Sequence, residues 1–161
     1  MSRQGETAMV IGPDIILDLV FARGREALDA VMLFDAIAAD AAAGVTSRRA
    51  YVAPATVSEV HAIVLHEAGV GKARSVVWRL LDLVQVAPAG NSEYKEAAML
   101  SSDYEFAEAL QLVACRSVGA RYLVTNEDFG AKRTPVPRRS AAEMLPLFRS
   151  QALPEDAAVQ V

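Results

Sequence analysis

The chain has 161 residues, a formal net charge of -4 and a single cysteine, Cys115. That length suits one domain with a core of its own, and a lone cysteine rules out both a disulfide framework and a cysteine-based zinc site. The acidic balance argues against a non-specific nucleic-acid binder, and the polar start MSRQGET, with no apolar run near the ~20 residues of a membrane span, leads us to expect a soluble, cytoplasmic protein.

Thr7 to Ile11 carries the apolar run Ala8-Met9-Val10-Ile11 and reads as a first, central strand that Gly12-Pro13 breaks. From Asp14 the period changes, and Ile15, Leu17, Leu19, Val20 and Phe21 form a short apolar helix ending near Gly24. A second helix follows, with Leu28, Val31, Met32, Asp35, Ala36 and Ala39 along one face and Gly44 as its stop. Arg49 to Ala53 is the next strand. A third helix, with Val57, Val60, Ile63, Val64 and Ala68 on one side, meets a hinge at Gly69 and Gly71. Lys72 to Val84 is again helix-spaced, so this region reads as a helical hairpin whose Val76, Trp78 and Leu80 form a candidate two-fold interface.

Gln85 to Pro88 is a brief third strand, and Asn91 to Leu100 a helix capped by Asn91 or Ser92. Phe106, Ala109, Leu110, Val113 and Ala114 make one apolar helical stripe that Gly119 ends, after which Tyr122, Leu123 and Val124 form a strand running into Asn126-Glu127-Asp128. Thr134 to Pro137 is an edge strand or extended segment because of its two prolines, and Ser140 to Phe148 is a last amphipathic helix. Residues 1–150 thus form one domain, with a frayed tail at 151–161. Short strands alternating with helices imply an α/β fold, a three-layer α/β/α sandwich around a short, mainly parallel sheet.

Acids fall where strands end or helices begin, and in parallel α/β folds ligands collect at those strand ends. Asp14 follows the Gly-Pro break and also suits a helix cap. Glu59 and Glu105 each stand three residues after a hydroxyl, Thr56 and Ser102, at capping-box spacing. Glu108 lies a turn inside its helix, in no capping position. Glu127 and Asp128 belong to a turn-forming cluster. Their convergence is the functional signal, because Mg²⁺ and Mn²⁺ take oxygen ligands from a few carboxylates and pair with phosphate substrates. Arg116, Arg121, Lys132, Arg133, Arg138 and Arg139 follow in sequence and suit either flanking RNA phosphates or a solvated basic face. His61 and His66 lack the spacing of a zinc helix, and no GxGxxG, GxxxxGK[ST] or GxSxG occurs.

Four segments together resemble the PIN-domain family over nearly the whole chain, from Val10 to Leu147: Gly12-Pro13-Asp14-Ile15-Ile16-Leu17-Asp18, Val57-Ser58-Glu59-Val60, Glu105-Phe106-Ala107-Glu108-Ala109-Leu110-Gln111, and Leu123-Val124-Thr125-Asn126-Glu127-Asp128-Phe129. The resemblance implies a small, often dimeric α/β/α fold that cleaves RNA with Mg²⁺ or Mn²⁺, and many bacterial members are VapC-like toxins paired with an antitoxin. Carried over by position, Glu59 matches the second acid, Glu108 the third, and Asp128 or Glu127 the fourth. The implied metal set is Asp14, Glu59, Glu108 and Asp128, supported by Glu105, Thr125, Asn126 and Glu127, with Lys132, Arg133, Arg138 and Arg139 on the RNA. Gly12 stands where the family has its first aspartate. Two readings follow: a metal-dependent endoribonuclease, or a PIN-like domain without catalysis that binds RNA or a protein partner. A phospho-acceptor or phosphatase domain is a third, but the chain lacks the DxDxT signature.

Overall fold

In the computed structural model, which describes residues 6–149, the chain builds one five-stranded sheet covered on both faces by helices. The expected frayed tail lies outside the described residues. The strands are β1 (Thr7–Ile11), β2 (Arg48–Val52), β3 (Gln85–Val86), β4 (Tyr122–Val124) and β5 (Arg138–Arg139). Every pairing is parallel and the order is β3-β2-β1-β4-β5. Register is set by β1, whose Met9 lies opposite both Ala50 and Tyr122.

Alternation along β1 divides the interior. Met9 and Ile11 join one apolar cluster with α1 (Pro13–Phe21), α2 (Glu26–Ala42), α3 (Pro54–Leu83) and α6 (Ala141–Arg149). Val10 faces the other way, toward Leu112, Ala114 and Cys115 of α5 (Phe106–Val118), which packs on α4 (Asn91–Leu100). Met9, Val10 and Ile11 are all buried, as a central strand with two covered faces requires. Burial also pushes the Cys115 thiol up to about 12, which makes it an inert core residue.

Packing shifts several expected details. The buried face of α2 is Ala27, Ala30, Leu33, Phe34 and Ile37, while Leu28 is 65% exposed and Asp35 is exposed. In this alanine-rich helix both faces carry apolar residues, and the one with Leu33, Phe34 and Ile37 buries more area per turn. Pro54 starts α3 as its first helical residue, the position where a missing N–H costs nothing. Gly90, in place of Asn91 or Ser92, precedes α4, and its N–H donates to Glu93 Oε2 at 2.8 Å. The expected extended proline segment instead bends at Pro135 and Val136, and pairing with β4 is made by Arg138 and Arg139 just after it. Leu80 is turned into the core instead of toward an interface, whereas Trp78 is 77% exposed.

The hinge in α3 is a single residue. Gly69 has φ 86° and ψ 172°, with nothing near the position a Cβ would take. Val60 and Val64 before it and Ala73 and Leu80 after it join the same apolar cluster, so the break lets both halves pack on one core. Because that backbone region is essentially restricted to glycine, Gly69→Ala should lower stability by about 1–3 kcal/mol in urea unfolding despite the open space around it. A Gly69→Ala protein as stable as the wild type would contradict a strained break.

Candidate active site

The strand order reverses at β1 and β4: the chain moves from β1 outward through β2 to β3, then returns to lay β4 on β1's other edge. A crevice outside the carboxyl ends of the two strands is the usual ligand position in such sheets. Both flanking segments carry acids. Gly12, just past β1, donates its N–H to Val124 O at 2.8 Å, and α1 begins with Asp14 in its first turn.

Asp14 spans the crevice. Its Oδ1 accepts the Thr125 hydroxyl at 3.0 Å and its Oδ2 the Asn126 backbone N–H at 2.7 Å. Thr125, buried at 4% exposure, uses the same oxygen to accept the Glu127 N–H at 3.1 Å. Its backbone N–H bonds Arg139 O at 2.9 Å, so β5 fixes the residue that orients Asp14. Asp14 is therefore a cross-link between strands, more than a cap for its own helix. Burial raises its pKa above the ordinary 3.8, opposed by the Asn126 and Thr125 hydrogen bonds.

Glu127 is where the acids meet. Its pKa is raised, first by burial and then by the negative charges of Asp14, Glu108, Glu59 and Glu105. Acids from β1's end, β4's end, α3 and α5 thus share one electrostatic neighbourhood. Asp128 is turned away: its Oδ1 takes the Gly130 N–H at 3.0 Å and caps the short 3-10 turn Phe129–Ala131. Of the two neighbours left open by the sequence, Glu127 faces the other acids.

Two expectations about caps are reversed. Glu108 is the third helical residue of α5, and its Oε2 accepts the Glu105 N–H at 3.2 Å, so it does occupy a capping position. Ser102 plays no part in that cap, its hydroxyl donating to Met99 O. Conversely Thr56 lies inside the first turn of α3, which begins at Pro54, so Glu59 belongs to no capping box and is an exposed helix acid. Two further residues, each the last of a segment quoted above, carry no expected role. Asp18, one turn after Asp14, accepts Asn126 Nδ2 at 3.4 Å, and its pKa is raised by burial, then by Asp14 and Glu26. Gln111 is buried in α5 at 4% exposure, with Oε1 lacking a partner. The i, i+4 spacing of Asp14 and Asp18 was the available signal for the first; for the second it was a lone amide within an apolar run.

The basic residues divide. Arg138 donates to Glu127 O at 3.0 Å and Lys132 O at 3.1 Å, stapling the loop that carries Glu127, while its guanidinium lies over Phe129. Lys132 donates to Asp103 O beside Tyr104. Arg139 lies over Tyr122 and 3.8 Å from Glu143. Arg133 is exposed, at a concavity shared with Tyr104, Thr134 and Arg138. Arg116 pairs with Glu96 through two hydrogen bonds and joins α5 to α4.

As they stand, no three aspartate, glutamate, histidine or cysteine side chains among the described residues converge tightly enough to hold an ion. The acids around Glu127 nevertheless form an all-oxygen donor set of the kind hard divalent cations prefer, and Asp14's oxygens retain free lone pairs.

The fold matches solved structures. VapC20 of Mycobacterium tuberculosis, a toxin described as cleaving the sarcin-ricin loop, aligns with a TM-score of 0.60 and 15% identity over 76% of this chain and 93% of its own. VapBC2 of Rickettsia felis, bound to a DNA fragment from its promoter, aligns at 0.60 and 12% identity over 83% and 98%. VapBC-1 of nontypeable Haemophilus influenzae aligns at 0.58 and 15% identity over 84% and 98%. The fold is therefore a PIN-like α/β/α sandwich of the VapC type. By sequence, no family model and no curated protein matches the chain.

The raised pKa values give a signed pH effect. A carboxyl that holds its proton more tightly when folded adds stability below its unfolded pKa and loses it as pH rises through the folded value. For Glu127 that loss begins above the ordinary 4.5. In metal-free protein, Glu127→Gln should therefore exceed the wild type in urea midpoint near about pH 7, the difference shrinking toward about pH 4. An equal difference at both pH values would contradict the crowding of charge at Glu127.

Proposed function

We propose that this protein is a metal-dependent endoribonuclease of the PIN type, acting as the toxin of a toxin–antitoxin pair. The observation that carries this reading is the accumulation of Asp14, Glu59, Glu105 and Glu108 around Glu127 at the reversal of strand order, where their negative charges raise Glu127's pKa. Uncompensated like charge in a partly buried crevice stabilises only when a cation joins it. The solved relatives' assignment as VapC toxins supports the direction of this reading, as do the VapBC complexes for an antitoxin partner.

Asp14, Glu59, Glu108 and Glu127 would hold Mg²⁺ or Mn²⁺, with Glu105 supporting them and Asp128 shaping the turn that presents Glu127. When bound, the ion supplies an activated water and charge compensation at the scissile phosphate. The protein's own part is orientation: Thr125 and the Asn126 N–H aim Asp14, and Arg138 secures the Glu127 loop through its carbonyl. Arg133 and Arg139, both exposed, would meet the RNA's flanking phosphates.

Gly12 favours a second reading, a PIN-like module that binds without cutting. The two part in one experiment, incubation of total RNA with the protein and Mn²⁺ or Mg²⁺, with chelator controls. We expect ion-dependent cleavage, and a fall in Glu108→Gln by at least the roughly 10–100-fold that loss of an outer-shell partner costs a metal site. RNA binding with no cleavage and no ion dependence would instead support the module.

A homodimer fits the exposed apolar side chains of α3, where Val70, Trp78 and Leu81 remain uncovered. Sedimentation at micromolar concentration should give a dimer that Trp78→Glu converts to monomer. A wild-type monomer would refute that interface.

A further inference from the structure

A side chain at position 12 would press on the ends of two polar side chains. A Cβ built on Gly12 would lie 2.8 Å from Asp14 Oδ1, 3.1 Å from Gln111 Oε1 and 3.3 Å from Val124 O. Gly12's backbone is ordinary, at φ -74°, so the glycine is required for space and not for conformation. The Asp14 carboxylate borders the volume that a residue at position 12 would take.

The opposite wall of that volume is Gln111. It lies on α5 among buried Leu110, Leu112 and Val113, where an apolar side chain would be the ordinary occupant. Its Oε1 is the buried side-chain polar atom that lacks a partner among the described residues, and it crowds the same point as Asp14 Oδ1. Two acceptors bordering the same small volume gain nothing from each other, and a buried unsatisfied polar atom costs about 1–3 kcal/mol. A half-turn of the carboxamide removes that cost, since Nε2 then faces the carboxylate and the two ends of an amide have the same shape.

We propose that Gln111 is a positioning residue that fastens Asp14 in the space left by Gly12, its Nε2–H donating to the Asp14 carboxylate. Thr125 and the Asn126 N–H hold Asp14 from the β4 side, and Gln111 holds it from α5, so a carboxylate displaced two residues along the chain is fixed as firmly as one placed on the strand end itself. The effect of this pairing on ion binding rests on the proposed metal site, whereas the hydrogen bond does not.

The test uses the full chain and two readouts. Proton–nitrogen NMR of the side-chain amides, with Gln111 assigned by the loss of its signals in Gln111→Met, should give a Gln111 amide proton that shifts upfield in Asp14→Ala. Should Gln111→Met not fold, assignment through the α5 backbone serves instead. Calorimetric titration of Mn²⁺ should weaken about tenfold in Gln111→Met, the scale of an outer-shell loss, and also in Gly12→Ala, with thermal unfolding confirming that both are folded. Gln111 amide signals identical in wild type and Asp14→Ala would overturn the proposal. So would Mn²⁺ affinity unchanged in both folded variants. If the wild type binds no Mn²⁺, the metal reading fails, and the NMR comparison alone decides the Gln111 contact.

Discussion

The hydrogen bonds of Asp14 to Thr125 and Asn126 join residues more than a hundred positions apart, and the site depends on them. They close the crevice at the point where β1 and β4 diverge from the same edge. Without them the two acid-bearing segments share the backbone ladder below, which fixes their strands but not their side chains, and the longer Asn126–Asp18 contact. Everything else in the sheet serves to bring those ends level. The Met9–Tyr122 register sets the height of Val124 against Ile11, and Gly12 N–H on Val124 O carries that register one residue past the strand.

The two faces of the sheet have different tasks. One is the larger apolar cluster beneath α1, α2, α3 and α6, which supplies most of the burial. The other carries α5, and α5 must be apolar enough to pack on Val10 and Leu123 while delivering Glu108 and Gln111 to the crevice. The helix does this by lying almost wholly buried from Ala109 to Cys115 and presenting its N-terminal turn to the acids. That turn sits where the helix's positive end tolerates negative charge, which offsets part of the repulsion among Glu105, Glu108 and Glu127.

Much of this was legible in the sequence because hydrophobic period and strand-breaking residues are local signals. Thr7–Ile11 is the strand that its apolar run implies, Gly119 ends α5, and Gly69 breaks the third helix where the glycines mark it. The buried face of α2 was not legible, since alanines on both sides leave the choice to Leu33, Phe34 and Ile37 and to what lies opposite them. Box spacing at Thr56 and Ser102 does not decide the caps for a related reason: α3 starts at Pro54, before Thr56, and α5 at Phe106, about a turn after Ser102. The division between Glu127 and Asp128 depends on a turn geometry that neighbouring acids in sequence cannot encode. Gln111 was hidden because an amide in an apolar run has meaning only when the chain brings Gly12 beside it.

The account's central claim is that the carboxylates at the β1–β4 crevice share a divalent cation, with Asp14 in the place that Gly12 vacates. Anomalous diffraction from crystals soaked in Mn²⁺ tests it most directly. The account predicts one peak in the crevice, bound by Asp14 together with Glu127 or Glu108 at roughly the 2.0–2.1 Å of hard-ion coordination or slightly longer. A peak held by other residues, or none at Mn²⁺ concentrations that saturate carboxylate sites, would contradict it.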